Sequence, residues 1–203
     1  MGNVLLSAWG HCDLAGKFDL VILGLLSLYS WYIMIGKFFL FKGINKKHNL
    51  FETYIRRRKS PLNIRSPLHA TLNYGIRLIK SIDIPDEKIL LRLENFAERE
   101  IEKLEKNLSF LATIVSIAPF LGLLGTVWGL LLSFNNMAIA GTSSIKIVAS
   151  GVAEALITTI VGLIVAIPAA IGHNYFMEKL KHITGRIEFL LPYIISFLKK
   201  NES

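Results

Sequence analysis

From Asn107 to Ile145 the chain reads NLSFLATIVSIAPFLGLLGTVWGLLLSFNNMAIAGTSSI, 39 residues without a charged side chain. From Ile147 to Met177 it reads IVASGVAEALITTIVGLIVAIPAAIGHNYFM, 31 residues with one, Glu154. About 20 helical residues cross a hydrocarbon layer about 30 Å thick. As helices, Ser109–Phe134 would be about 39 Å long and Ile147–Met177 about 46 Å, so both overshoot and should tilt or continue into water. A third apolar stretch, Leu20 to Phe41, is interrupted only by Lys37, near enough to its end to reach the interface by extending its side chain. It is too long for a cleaved leader, and no small-x-small site follows it.

Composition agrees. Apolar residues make up 52% of the 203 and charged residues 19%, against about 25% charged in average soluble proteins. Disorder, a collagen-like fibre and a disulfide scaffold are excluded, since order-promoting residues dominate, glycine has no period and Cys12 is alone. The expected fold is an all-α integral membrane protein with three transmembrane helices, two of them long and extended into the cytoplasm. Its segments are a short periplasmic N-terminus (1–19), spans at 20–41, 108–134 and 147–177, a basic cytoplasmic loop with a helical stem (42–107), a periplasmic loop (135–146) and a cytoplasmic helical tail (178–203).

Basic residues orient these spans. Residues 42–107 hold 15 Lys and Arg and residues 178–203 hold five, whereas 1–17 and 135–146 hold one each. Basic loops stay in the cytoplasm, so the N-terminus faces the periplasm and the C-terminus the cytoplasm. The run Arg56-Arg57-Arg58-Lys59 suits anionic lipid headgroups. No aromatic-interleaved basic motif or helix-turn-helix accompanies it, so nucleic acid is not an expected partner. Asp83-Ile84-Pro85-Asp86-Glu87 reads as a helix start. After it, Leu90, Leu93, Ala97, Ile101, Leu104 and Leu108 form a stripe that continues into the second span, and Leu180, Ile183, Ile187, Leu190, Ile194 and Phe197 form another. The two stripes should pack on each other or on neighbouring subunits.

Glu154 stands eight residues past Lys146, about 12 Å along a helix and so inside the hydrocarbon boundary. A carboxyl there costs a few kcal/mol unless it faces a bundle interior, a watery cavity or a partner, which makes it a functional residue by default. The alternative is a neutral or hydrogen-bonded structural Glu. If Phe134 and Ile147 end the two spans, Thr126 is level with Glu154. Thr158 lies about 40° round the helix from Glu154 and Thr159 about 140°. These hydroxyls can equally bond back to their own helix carbonyls. Gly122, Gly125 and Gly129 in one span, and Gly151, Ala155 and Gly162 in the other, mark faces where helices approach closely. GLLGTVWG is not a nucleotide loop, for it lacks GK[ST] and sits in mid-membrane. His11, Cys12, Asp13, His173 and His182 do not assemble a metal site.

The segments SIAPFLGLLGTVWGLLLSF (Ser116–Phe134) and GVAEALITTIVGLIVAIPAAIGHNYF (Gly151–Phe176) resemble the core spans of the MotA/TolQ/ExbB proton-channel family, most closely its TolQ/ExbB branch. The resemblance implies a homopentameric helical channel in a bacterial inner membrane. It implies a dimer of TolR/ExbD-like single-span subunits in the pore and a TolA/TonB-like energy-transducing protein beyond. Protons are then the transported ion, with no cofactor and no metal, and the chain is not an enzyme. Thr126 matches the Thr of the family's GTVWG segment, Glu154 the Glu of its GIAEAL segment and Thr159 the Thr five residues later, which makes these three the proton pathway. Thr158 stands where relatives often have a small apolar residue, so it is an accessory hydroxyl without an assigned role. The flagellar-type stator branch generally has four spans and a larger cytoplasmic domain. A passive scaffold would leave Glu154 unexplained, and an intramembrane enzyme would need a Ser/Lys, Asp/Asp or HExxH set that is absent.

Overall fold

The computed structural model describes residues 14–56, 67–81, 85–140 and 145–200. Every secondary-structure element among them is an α-helix: α1 (Leu14–Arg56), α2 (Pro67–Ser81), α3 (Asp86–Glu105), α4 (Leu108–Ala140) and α5 (Ile145–Lys200). Among the described residues three stretches are long and apolar enough to cross a membrane, Gly16–Ile44, Leu108–Ile139 and Gly151–Pro192. Helix is the form these sequences must take in lipid, because it satisfies each backbone N–H and C=O within its own segment.

The chain divides into two compact units, Met1–Met34 with Ser109–His173, and Ile35–Leu108 with Asn174–Ser203. In the first, α1, α4 and α5 meet around Leu23, Leu111, Ile114, Ala118, Val165, Ala166 and Ala169, with Leu26, Met34, Val115, Leu121 and Val161 at its margin. The Met34 sulfur occupies the notch left by Gly172, 2.5 Å from where a Cβ would stand. Tyr29 meets Phe110 edge to face, centroids 4.8 Å apart. Large apolar side chains also cover the outside: Leu28, Phe120, Leu124, Ile164 and Ile171 are exposed. A helix that is apolar all round belongs in lipid or against further helices.

In the second unit, α2 packs on α3, where Tyr74 stacks on Phe96 at 4.4 Å, and Phe41 of α1 stacks on Phe176 of α5 at 5.7 Å. Helix α3 starts after Pro85, whose carbonyl accepts from the amides of Lys88 and Ile89; Asp83 and Ile84 lie outside the described residues. Leu93, Ala97 and Leu104 of the first stripe are buried, as are Leu180, Ile183 and Ile187 of the second. The side chains of Ile194 and Phe197 lie outside the described residues. Between α3 and α5 is a cleft of 580 Å³ lined by Ala97, Ile101, Ile187, Leu191 and several glutamates.

Two local features depart from the sequence expectation. The stripe does not pass unbroken from α3 into α4: Asn107 adopts φ 73°, and Lys106 donates its amide to the Glu102 carbonyl at 2.9 Å. Asn is among the few residues that tolerate the left-handed region, so one residue ends one helix and allows the next to start. Lys37, expected to extend to an interface, is 8% exposed, and its ammonium donates to the Leu104 carbonyl. That carbonyl is among the last of α3 and lacks an intrahelical partner, and a cation at a helix C-terminus also meets the negative end of its dipole.

Candidate functional site: a threonine layer between two glycine-lined helices

Within the first unit, α4 and α5 run antiparallel along a seam of small residues. A Cβ added to Gly122 would stand 2.7 Å from the Thr158 carbonyl oxygen and 2.9 Å from the Thr159 Cα. One added to Gly162 would stand 2.6 Å from the Ala118 carbonyl oxygen and 3.2 Å from the Gly122 Cα. These obstacles are backbone and cannot swing aside. Farther along, Gly129 faces Ala155 and Gly151 receives the hydroxyl of Ser133. Gly122, Gly125, Gly129, Gly151, Ala155 and Gly162 therefore all lie on the α4–α5 contact.

Backbone approach this close gives the hydroxyls partners across the seam. Thr126 Oγ1 lies 3.1 Å from the Gly122 carbonyl of its own helix and 3.2 Å from the Ala155 carbonyl of α5, and it also contacts the Thr159 hydroxyl. Thr158 Oγ1 lies 2.7 Å from the Ala155 carbonyl and 3.0 Å from that of Gly122. Thr159 Oγ1 lies 3.0 Å from the same Gly122 oxygen. The sequence leaves open whether these threonines bond back to their own helix or face one another; Thr126 and Thr158 bond back and also reach across the seam, and Thr159 reaches across to Thr126 and Gly122.

A hydroxyl carries one proton and two acceptor lone pairs. Three hydroxyls therefore share two carbonyls with more acceptors in reach than protons to donate. Their hydrogen bonds can be redistributed by rotation about Cβ–Oγ alone, without moving a helix. Thr126 is 8% exposed and Thr158 2%, so the layer sits inside the unit. The backbone of Glu154 is in α5 directly before Ala155; its side chain lies outside the described residues.

One acid at this layer escaped the sequence reading. Asp19 falls within the expected N-terminal segment 1–19, while the apolar stretch that begins at Gly16 includes it. It is 7% exposed, and its Oδ2 has no hydrogen-bond partner. A Cβ on Gly125 would stand 2.8 Å from that oxygen and 2.6 Å from Thr158 Oγ1. The signal was present in the apolar neighbours Phe18 and Leu20. With Lys17 two residues before it, however, Asp19 reads as the charged border of a span. Among the described residues, no three His, Cys, Asp or Glu side chains cluster as metal ligands would; His11, Cys12 and Asp13 lie outside them.

Residues 63–188 match the model of the MotA/TolQ/ExbB proton channel family. The chain is 49% identical over 88 residues to the Tol-Pal system protein TolQ of Pseudomonas aeruginosa, covering 43% of this chain and 38% of that protein. It is 32% identical over 192 residues to the biopolymer transport protein ExbB of Pseudomonas putida, covering 86% of this chain and 58% of that protein. With the ExbB of Salmonella typhimurium it shares 32% over 208 residues, 89% of this chain and 83% of the relative. The chain thus spans less than two thirds of the first two relatives, 38% and 58%, while covering most of the third. From the family match over more than half its length, and from these relatives, the chain belongs to the MotA/TolQ/ExbB proton channel family.

Proposed function

We propose that this chain is the channel-forming subunit of an inner-membrane motor that uses the proton motive force, through single-span partner subunits, to do work at the outer membrane. The observation that carries the reading is the layer of Thr126, Thr158 and Thr159 between two close-packed helices, directly beside the position of Glu154. Family membership supports it, as do relatives named for the Tol-Pal system and for biopolymer transport. In this reading Glu154, Thr126 and Thr159 form the proton pathway, Thr158 is an accessory hydroxyl and no cofactor is required.

Five copies surround a dimer of TolR/ExbD-like helices, and a TolA/TonB-like protein carries the work outward, either to maintain the envelope during division or to power nutrient import. The N-terminus faces the periplasm and the basic loop the cytoplasm, a reading the distribution of Lys and Arg supports. The exposed apolar faces of α1, α4 and α5 meet lipid, sister subunits and the partner.

The test is pH-gradient dissipation by the protein in vesicles, with and without its partner subunit. Proton flux that requires the partner and disappears in Glu154→Ala, with the variant inserted and assembled, supports the reading. Equal flux in Glu154→Ala and wild type overturns it, and absence of flux with the partner present favours a passive scaffold.

A further inference from the structure

The layer contains an acid that the proton pathway above does not use. Asp19 is more than nine-tenths buried, and its Oδ2 is without a hydrogen-bond partner. The oxygen points at the notch of Gly125, where it converges with the Thr158 hydroxyl from the opposite helix. Glycine is what leaves room for both groups, since any Cβ at 125 would collide with them.

An ionised carboxylate buried without a partner is strongly disfavoured, whereas a protonated one is a donor in need of an acceptor. The hydroxyl that shares the Gly125 notch with Asp19 is Thr158 Oγ1, to which Oδ2 is not hydrogen-bonded in the structure. The Thr158 proton is directed at the Ala155 or Gly122 carbonyl, which leaves the hydroxyl's lone pairs free to accept from a neighbouring acid. Among the described residues the neighbouring helices bring no counter-charge: α4 has no charged or histidine residue along its length, and Lys17 is about 200° round α1 from Asp19. On α5 the nearest titratable position is Glu154, one turn from Thr158.

We propose that Asp19 is a second proton-binding carboxyl of the threonine layer, coupled to the pathway through Thr158. The accessory hydroxyl at 158 then gains a role, as the hydroxyl that shares the Gly125 notch with the carboxyl of Asp19. The step is an acid–base exchange: the carboxyl gives its proton to a water molecule of the proton route, leaving a carboxylate and a hydronium ion, and takes one back by the reverse step, with the Thr158 hydroxyl at the same notch.

This inference rests on the proton-channel reading, and the experiment separates the two. The full chain with its partner, in vesicles, is treated with dicyclohexylcarbodiimide, which modifies protonated carboxyls in apolar surroundings, and adducts are located by mass spectrometry. The expected result is an adduct on Asp19 whose yield falls as pH is raised and is unaffected by Na⁺. No adduct on Asp19 at any pH overturns the proposal. Protection by Na⁺ also overturns it, in favour of a metal-cation site. In the same vesicles Asp19→Asn, equal in size but unable to titrate, should lower proton flux by roughly tenfold or more, while Asp19→Glu retains flux with a shifted pH profile. Asp19→Asn conducting as wild type while Glu154→Ala does not defeats only the Asp19 assignment; wild-type flux in Glu154→Ala defeats the channel reading itself.

Discussion

The hydroxyls of Thr126 and Thr159 touch across the seam between α4 and α5, and the carbonyl of Gly122 lies within hydrogen-bond distance of both. One close helix crossing thus creates the apolar packing and the polar layer together. Glycines let the backbones meet, and the meeting places a carbonyl of one helix among the hydroxyls of the other.

Thr126→Val retains the branched shape and removes the hydroxyl. Thr159 and Thr158 keep the Gly122 carbonyl as a partner, so stability should fall by only about 1 kcal/mol. Proton flux should fall by roughly tenfold or more, the scale on which proton-transferring groups act. Vesicle flux read beside thermal unfolding of the same sample checks this, and wild-type flux in a folded variant would remove Thr126 from the pathway.

Gly162→Ala places a methyl group against the Ala118 carbonyl at 2.6 Å. Overpacking of this kind costs about 1–3 kcal/mol, and here the obstacle is backbone, so the upper part of that range is expected. The helices must separate, and the hydroxyl contacts at Gly122 should loosen with them. Gly185→Ala is the matched control, because nothing lies within 4 Å of a Cβ there. Melting temperatures of the two purified variants give the comparison; equal values would show that the seam is not tightly packed.

Lys37→Met keeps an unbranched side chain and removes the donor to the Leu104 carbonyl. A buried carbonyl left without a partner costs about 1–3 kcal/mol. The loss should appear locally, as faster hydrogen exchange at the amides that close the last turn of α3, with the amides of α4 around Thr126 unchanged.

Asn107 distinguishes its substitutions by backbone alone. At φ 73° glycine is unstrained, so Asn107→Gly should be neutral or slightly stabilising. Asn107→Val forces a β-branched residue into the left-handed region and should cost about 1–2 kcal/mol. Equilibrium unfolding of the pair gives the answer, and equal stability would mean that the α3–α4 junction does not depend on that conformation.

Three apolar stretches can be read as bilayer-crossing helices from the residues alone, because length and hydropathy are local properties and lipid leaves the backbone few other ways to satisfy itself. The sequence also determined which positions are small enough for helices to meet. Two features lay beyond its reach for a local reason: a single left-handed residue at Asn107 leaves apolar periodicity intact on both sides, and Lys37 in an apolar stretch does not name the carbonyl it will cap. The threonine layer needed more. Depth arithmetic sets Thr126 near Glu154, but which hydroxyls share a carbonyl depends on how α4 and α5 are rotated about their axes. That rotation is decided by glycine meeting backbone across residues far apart in the chain. The burial of Asp19 is a tertiary outcome: despite its apolar neighbours it reads as the charged border of a span, and the packing of α1 against Gly125 makes it a buried acid at the notch it shares with Thr158.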